Sequence, residues 1–144
     1  MDKKEIYDFV VESNRIEKIF RDPTEEELDE FTRFMRVDKV NLYELIKFIA
    51  VYQPDAKLRN EYGLNVRVNG YCPPFGSPNM AMDLENLLKQ DYDAYNLHIA
   101  YERLHPFTDC NGRSGRALWA WKNKNISGGF LLNFYFQTLN IYRY

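Results

Sequence analysis

The chain has 144 residues, of which 45% are hydrophobic and 28% charged, and its formal net charge is −2. This length is typical of one domain whose core is large enough to fold without a metal or disulfides. The near-zero net charge argues against sequence-independent nucleic-acid binding. The chain also lacks the run of roughly 20 apolar residues that would predict a membrane span. The cysteines Cys72 and Cys110 and an N-terminus without a signal-peptide pattern predict a reduced, cytoplasmic protein.

Hydrophobic residues recur mostly at steps of three and four, which predicts an all-α domain with one extended insertion. The first helix is predicted over roughly residues 3–20. The second begins after Thr24, which with Glu27 three residues later matches a capping box. The third is predicted over about residues 41–51, before Gln53-Pro54.

The insertion lies between residues 57 and 78, where glycines and prolines exclude a long helix. Within it Leu64–Val68 alternates with a period of two, which predicts a strand of a short β-hairpin. Helical spacing returns over the remaining predicted helices, which are residues 80–88, about 92–104, 112 to about 122, and about 129–142.

Aromatic residues make up 16% of the chain, with 11 Tyr and 10 Phe. Core packing is the first explanation for this excess. The aromatic density around Leu131–Tyr135 is greater than one buried helix face needs, so we expect a self-association surface there and hence a homo-oligomer.

Residues 105–116 read HPFTDCNGRSGR, a polar loop that leads into a helix. A helix N-terminus after such a loop offers free backbone N–H groups and a positive dipole end, so Asn111 and Gly112 are predicted to form an anion site. Arg113 and Arg116 are three apart on the new helix, and we expect both guanidinium groups to lean toward the same anion.

Two further groups of this loop suit the chemistry of nucleotides. The carboxylate of Asp109 is a hard oxygen ligand of the kind that Mg²⁺ takes together with phosphates. His105 is the group of this loop that titrates near neutral pH, which makes it the natural general base. Base, metal ligand, anion site and paired arginines together predict phosphoryl or nucleotidyl transfer.

The segment HPFTDCNGRSGR resembles the signature HPFx(D/E)GNGRxxR of the Fic (filamentation induced by cAMP) domain family, with Cys110 at a glycine position. Residues 57–80 resemble the flap with which this family holds its target. Ser13 to Lys18 resembles the inhibitory motif (S/T)xxxE(G/N), with Lys18 in place of the last residue. The resemblance implies a single Fic-type helical domain over residues 1–144, comprising an inhibitory helix (1–20), a flap hairpin (57–78) and a catalytic loop with the start of the active-site helix (105–116).

The resemblance implies a protein adenylyltransferase that uses ATP and Mg²⁺. His105 would deprotonate a Ser, Thr or Tyr hydroxyl of a target protein docked on the flap, and the hydroxyl would attack the α-phosphate. Asp109 would hold Mg²⁺, while Asn111 and Gly112 would form the anion hole. Arg113 would bind the β-phosphate.

The same resemblance implies autoinhibition. Arg116 would contact the γ-phosphate or, in the inhibited state, pair with Glu17 of the first helix. Ser13 and Glu17 are four apart and share one helix face, as this pairing requires. A carboxylate at that arginine would compete with the γ-phosphate for the same charge and space.

Three alternatives stay open at the level of sequence. The first is removal of AMP from a target, with Glu17 positioning a water; the second is transfer of another nucleotide or of a phosphate group. The third is a peptide- or nucleotide-binding module without catalysis, because Cys110 adds a Cβ where glycine can adopt a positive φ. A redox role for Cys110 would require Arg113 and the helix N-terminus to lower its thiol pKa.

Overall fold

The computed structural model describes residues 2–68 and 70–126. The helices of these ranges are α1 (Lys3–Ile16), α2 (Glu25–Met35), α3 (Leu42–Tyr52), α4 (Met80–Leu88), α5 (Ala94–Leu104) and α6 (Asn111–Asn123). This confirms the all-α prediction, with limits close to those expected. None of these helices is long and apolar enough to cross a membrane. The predicted helix over 129–142 and the self-association surface at Leu131–Tyr135 lie outside the described residues.

Helix α6 lies at the centre of the fold and is buried on nearly all sides from Asn111 to Ala120. Its most extensive packing is against α5. A Cβ at Gly115 would lie 2.7 Å from Oε1 of Glu102 and 3.1 Å from Cδ1 of Tyr101, so the glycine allows α5 to approach closely. The close packing of the two helices fixes both ends of the loop 105–110 that connects them.

Aromatic rings fill the core where α1, α2 and α3 meet. Phe9 packs on Phe31 with ring centroids 5.0 Å apart, and Phe48 stacks on Tyr52 at 4.1 Å. Among the described residues, the buried aromatic side chains are Phe9, Phe31, Phe34, Phe48, Tyr52, Tyr101, Phe107 and Trp119. Part of the aromatic excess is therefore explained by core packing.

The predicted capping box at the start of α2 is confirmed. Thr24 Oγ1 accepts a hydrogen bond from the Glu27 N–H at 3.1 Å, and Oε1 of Glu27 accepts one from the Thr24 N–H at 2.8 Å. Burial alone would raise the pKa of Glu27, but its hydrogen bonds with Arg21 and Thr24 outweigh that effect and lower the pKa. Unlike the exposed Glu25 and Glu26, Glu27 is thus a buried, ionised anchor of the turn before α2.

The strand expected over Leu64–Val68 does not form. Among the described residues, the predicted hairpin is reduced to one antiparallel bridge between Val68 and Tyr71. The opposing arm contains Pro73 and Pro74, which have no N–H to donate to a ladder, and an isolated two-stranded hairpin is marginal in water. The two arms are joined instead by a side chain, since the Gly76 N–H donates to Oδ1 of Asn65 at 3.0 Å.

Helix α1 ends at Ile16, earlier than the predicted residue 20, because the chain turns left-handed at Lys18. The Lys18 N–H donates to the Arg15 carbonyl at 2.9 Å, and the Ile19 N–H donates to the Asn14 carbonyl at 3.0 Å. These two bonds form a Schellman motif, whose left-handed position favours glycine or asparagine. Lys18 occupies it with φ 63°.

We predict that Lys18→Gly raises the free energy of unfolding by about 1 kcal/mol, because glycine adopts a positive φ without the steric penalty of a Cβ. Lys47→Gly, inside α3, is the matched control and should lower it by a similar amount, about 1 kcal/mol. Urea unfolding of both variants followed by circular dichroism measures the two signs. A loss of stability in Lys18→Gly would contradict the strained cap.

Candidate active site

A cavity of about 790 Å³ lies between the end of α1, the segment 66–68, the loop 105–110 and the start of α6. It brings together all the predicted site residues except Ser13, namely Glu17, His105, Asp109, Asn111, Gly112, Arg113 and Arg116. Ser13 is buried and joins this set through Arg116. Residues distant in sequence thus converge on one cavity, although a motif of twelve residues supplies most of them.

His105 follows the last turn of α5 in a left-handed conformation, with φ 51° and ψ 58°. Its Nδ1 lies 3.0 Å from the carbonyl oxygen of Glu102. A carbonyl can only accept, so Nδ1 carries the proton, and in the neutral ring the lone pair is on Nε2. Burial lowers the pKa of His105, with a further lowering from Arg59, so the imidazole is neutral at pH 7. The ring is therefore in the form that can accept a proton.

The side chain of Asn111 holds the loop rather than facing a ligand. Its Oδ1 accepts from the Phe107 N–H at 2.9 Å, and its Nδ2 donates to the Phe107 carbonyl at 2.8 Å. Any contribution of Asn111 to an anion hole is therefore left to its backbone N–H. The first N–H groups of a helix have no acceptor within the helix, so the start of α6 offers a positive, hydrogen-bonding end to the cavity.

A carboxylate already lies at this end of α6. A Cβ built on Gly112 would collide with Oε1 of Glu17 and would come within 3.0 Å of Nη1 of Arg116. Nη2 of Arg116 donates to Oε1 of Glu17 at 2.8 Å. The Arg116 side chain is 2% exposed and that of Glu17 38% exposed, so the ion pair joins a buried cation to a carboxylate at the cavity edge.

Arg116 is also bound to the helix that carries Glu17. Its Nε donates to Oγ of Ser13 at 2.8 Å, and its Nη2 donates to the Ser13 carbonyl at 2.9 Å. Arg116 therefore contacts both Ser13 and Glu17, as the family resemblance implies, although about one hundred positions separate it from them.

The two arginines of α6 were expected to lean toward one anion. In the structure, their guanidinium groups instead form hydrogen bonds to different helices. Arg113 donates from Nη1 to the Tyr52 carbonyl at 3.2 Å and from Nη2 to Oε1 of Gln53 at 3.0 Å. These acceptors lie at the C-terminus of α3, where the helix dipole favours a cation. Both guanidinium groups still line the same cavity.

Asp109 is exposed on the loop, and its Oδ1 accepts the Cys110 N–H at 2.7 Å. Residues 2–68 and 70–126 contain no group of three or more His, Cys, Asp or Glu side chains that would hold a metal by themselves. One carboxylate beside an anion-binding helix end fits Mg²⁺ that is shared with substrate phosphates and water. The donor set present is therefore compatible with the predicted ion.

Cys110 is buried in the core and adopts φ 68° directly before α6. This positive φ explains in physical terms why glycine suits the position. Burial raises the pKa of the Cys110 thiol to about 12, the opposite of the lowering that a redox role requires. The lowered thiol pKa that a redox role would require is therefore not found, and Cys72 and Cys110 are both free.

Arg59 is a residue that sequence reasoning missed. It is fully buried, and its guanidinium group donates to backbone carbonyls at the end of α5 and in both arms of the flap segment 57–78. No local pattern marks an arginine between Leu58 and Asn60, because its partners come from three separate parts of the chain. A buried arginine of this kind can be recognised only once the fold is known.

A family model described as Fic/DOC family matches residues 42–121, which include the flap, the catalytic loop and most of α6. Helix α1, which contains Ser13, and its C-cap Glu17 lie outside the matched range. Comparisons with curated proteins and with solved structures found no match. Because the family model covers more than half of the chain, the protein belongs to the Fic/DOC family.

Proposed function

We propose that this protein is an adenylyltransferase that moves AMP from ATP to a hydroxyl group of a target protein, and that Glu17 inhibits it. The observation that carries the proposal is the cavity in which the neutral imidazole of His105 lies with the anion-binding start of α6. A base and an anion site in one cavity are the minimum that this transfer needs. Membership of the Fic/DOC family supports the same reaction class.

The proposed reaction uses these groups in the following steps. Nε2 of His105 takes the proton of the target hydroxyl, and the hydroxyl oxygen forms a bond to the α-phosphorus. The bond from that phosphorus to the bridging oxygen of the β-phosphate breaks, and pyrophosphate leaves. The base is poised for this step because its Nδ1–H is already held by the Glu102 carbonyl.

The protein stabilises the phosphates with groups that are fixed in advance. The backbone N–H groups of Asn111 and Gly112 and the guanidinium of Arg113, which line the cavity, would face the developing negative charge. Asp109 would hold Mg²⁺, which neutralises phosphate charge when it is bound.

Inhibition is proposed because Glu17 lies where a third phosphate would need positive charge. Its carboxylate contacts Gly112 and Arg116 at the N-terminus of α6. A γ-phosphate placed there would meet a like charge and would lose Arg116 as a partner. ATP can then bind only in a pose that leaves the α-phosphate away from the base.

The proposed target site is the flap. Residues 64–67 are extended in sequence pattern, and no strand of the described residues pairs with them. Such a segment can take an added strand from a target protein, which would bring a Ser, Thr or Tyr hydroxyl to His105.

Glu17→Gly should increase AMP transfer by roughly 10- to 100-fold, because a charge-assisted hydrogen bond worth about 1.5–3 kcal/mol no longer competes with the γ-phosphate. The measurement is incorporation of α-labelled ATP with Mg²⁺ into the protein itself and into a host lysate. Arg116 keeps both bonds to Ser13 in this variant, so the cavity should stay folded.

Two controls accompany this experiment. Glu12→Ala changes an exposed acidic residue of the same helix and should leave the transfer unchanged. His105→Ala in the Glu17→Gly background should abolish transfer with little effect on ATP affinity. Bound ATP without labelling in Glu17→Gly would contradict adenylyl transfer, and loss of AMP from a modified target in the unchanged protein would favour the reverse reaction. Labelling by UTP or GTP, or from γ-labelled ATP, would replace AMP with another transferred group.

The pH profile should report the base. Since the pKa of His105 is lowered by burial, the neutral form persists below pH 6.5, and single-turnover labelling by Glu17→Gly should fall only at more acidic pH. Rates measured at saturating ATP from pH 5 to 8 test this. A midpoint above pH 6.5 would contradict a buried neutral base.

Cys110→Gly tests whether the protein is an enzyme or a binding module without catalysis. Relief of the positive φ gains about 1 kcal/mol, while removal of the buried Cβ and sulfur loses about 1–2 kcal/mol, so stability should fall by no more than about 1 kcal/mol. In the Glu17→Gly background we expect less than a fivefold change in transfer, with Cys72→Ser as the control for loss of a thiol. A gain of a hundredfold would mean that Cys110 disables the site.

A further inference from the structure

Arg59 is a buried cation whose described partners are all neutral. Its Nε donates to the His105 carbonyl at 2.7 Å, and its Nη2 donates to the Leu104 carbonyl at 2.9 Å. Both acceptors lie at the C-terminus of α5, where the helix dipole is negative. No carboxylate forms an ion pair with Arg59 in residues 2–68 and 70–126, so carbonyl oxygens compensate the buried charge there.

The same guanidinium also reaches both arms of the flap. Its Nη1 donates to the Pro74 carbonyl at 2.8 Å and to the Leu64 carbonyl at 3.2 Å. The backbone of Arg59 adds two bonds, because its N–H donates to the Pro106 carbonyl at 2.8 Å and its carbonyl accepts from the Ser77 N–H at 3.2 Å. One residue therefore joins the proposed target-binding segment to the residue that carries the base.

His105 needs such support because its backbone is left-handed, which costs a residue with a Cβ about 1 kcal/mol or more. The Arg59 Nε holds the carbonyl of this unfavourable peptide. If that bond is lost, the backbone can relax toward a right-handed conformation, and the imidazole loses its position against the Glu102 carbonyl. The charged groups that act on the imidazole are Arg59, Glu17 and Asp109.

We propose that Arg59 is a positioning residue, which fixes the imidazole of His105 with Nε2 free and ties the flap to it. The proposal rests on the function proposed above, since it assigns the part of the machinery that orients the base. Its consequence is that the base and the target segment move as one unit, so that a target docked on the flap meets a base already in place.

The experiment uses the full chain with Arg59→Lys, which keeps the charge but not the planar set of donors, and Arg59→Gln, which removes the charge. Arg103→Gln removes a charge two residues before His105 at an exposed position and is the control. The chain has two histidines, and burial lowers the pKa of His98 to about 3. Nitrogen-15 NMR therefore reports the tautomer and the titration of His105 without any assumption about activity.

We expect the unchanged protein and Arg103→Gln to show the Nδ1–H tautomer. Arg59→Lys and Arg59→Gln should shift toward Nε2–H, and in Arg59→Gln the pKa of His105 should rise toward 6.5 because a nearby positive charge is gone. In the Glu17→Gly background both should lower kcat for transfer by roughly 100-fold, with the KM for ATP changed less than about threefold.

An unchanged Nδ1–H tautomer of His105 in a folded Arg59→Lys would overturn the proposal, even if the variant melts at a lower temperature. If Arg59→Gln fails to fold, Arg59→Lys alone decides. Should no variant transfer AMP, the NMR result still tests the positioning role, while the failed transfer counts against the proposed function alone.

Discussion

The structure depends on how the loop 105–110 connects α5 and α6, two helices that pack in direct contact. Both ends of this loop are left-handed, at His105 and Cys110, although neither residue is glycine. Each such residue costs about 1 kcal/mol or more, so other bonds must hold the loop. The amide of Asn111 supplies two of them to Phe107, whose ring is buried in the core and whose backbone pairs with Leu58. The groups of the proposed reaction are thus fixed before any ligand arrives, which is what electrostatic catalysis would require.

Three buried arginines surround this loop, and they differ in whether their hydrogen-bond partners are neutral or negatively charged. Arg59 and Arg113 donate to carbonyl and amide oxygens, whereas Arg116 also pairs with a carboxylate. Of the first two, Arg113 lines the cavity, and because its acceptors are neutral its positive charge stays available to an anion. Among the partners that the described residues supply to these three arginines, only Glu17 carries the same sign of charge as a phosphate. Within the described part of the chain, Arg116 is therefore the arginine of this group at which an incoming anion and a protein carboxylate compete.

Local patterns predicted the helices well because caps and apolar spacing act within a few residues, as at Thr24 and Glu27. The prediction of a strand at Leu64–Val68 was wrong because a strand needs a partner arm to pair with. In that arm, Pro73 and Pro74 have no N–H to donate. The meeting of Glu17 with Arg116 was predictable only through a family motif, since no local rule joins positions so far apart. Arg59 carried no signal, because its importance comes from carbonyls that converge only in the folded chain.

The free energies that hold α1 and the Glu17 side chain in place indicate how the proposed inhibition would be released. Detaching the helix would expose Ile6, Phe9 and Val10, which are buried and contribute about 1.5–3 kcal/mol each. The ion pair of Glu17 with Arg116 is worth about 1.5–3 kcal/mol in total, and its carboxylate is already partly exposed. Moving only the side chain of Glu17, or the single turn at Lys18 that already carries a strained φ, therefore costs far less than undocking α1. An activating partner would need to act on the end of α1 and could leave the core of the helix in place.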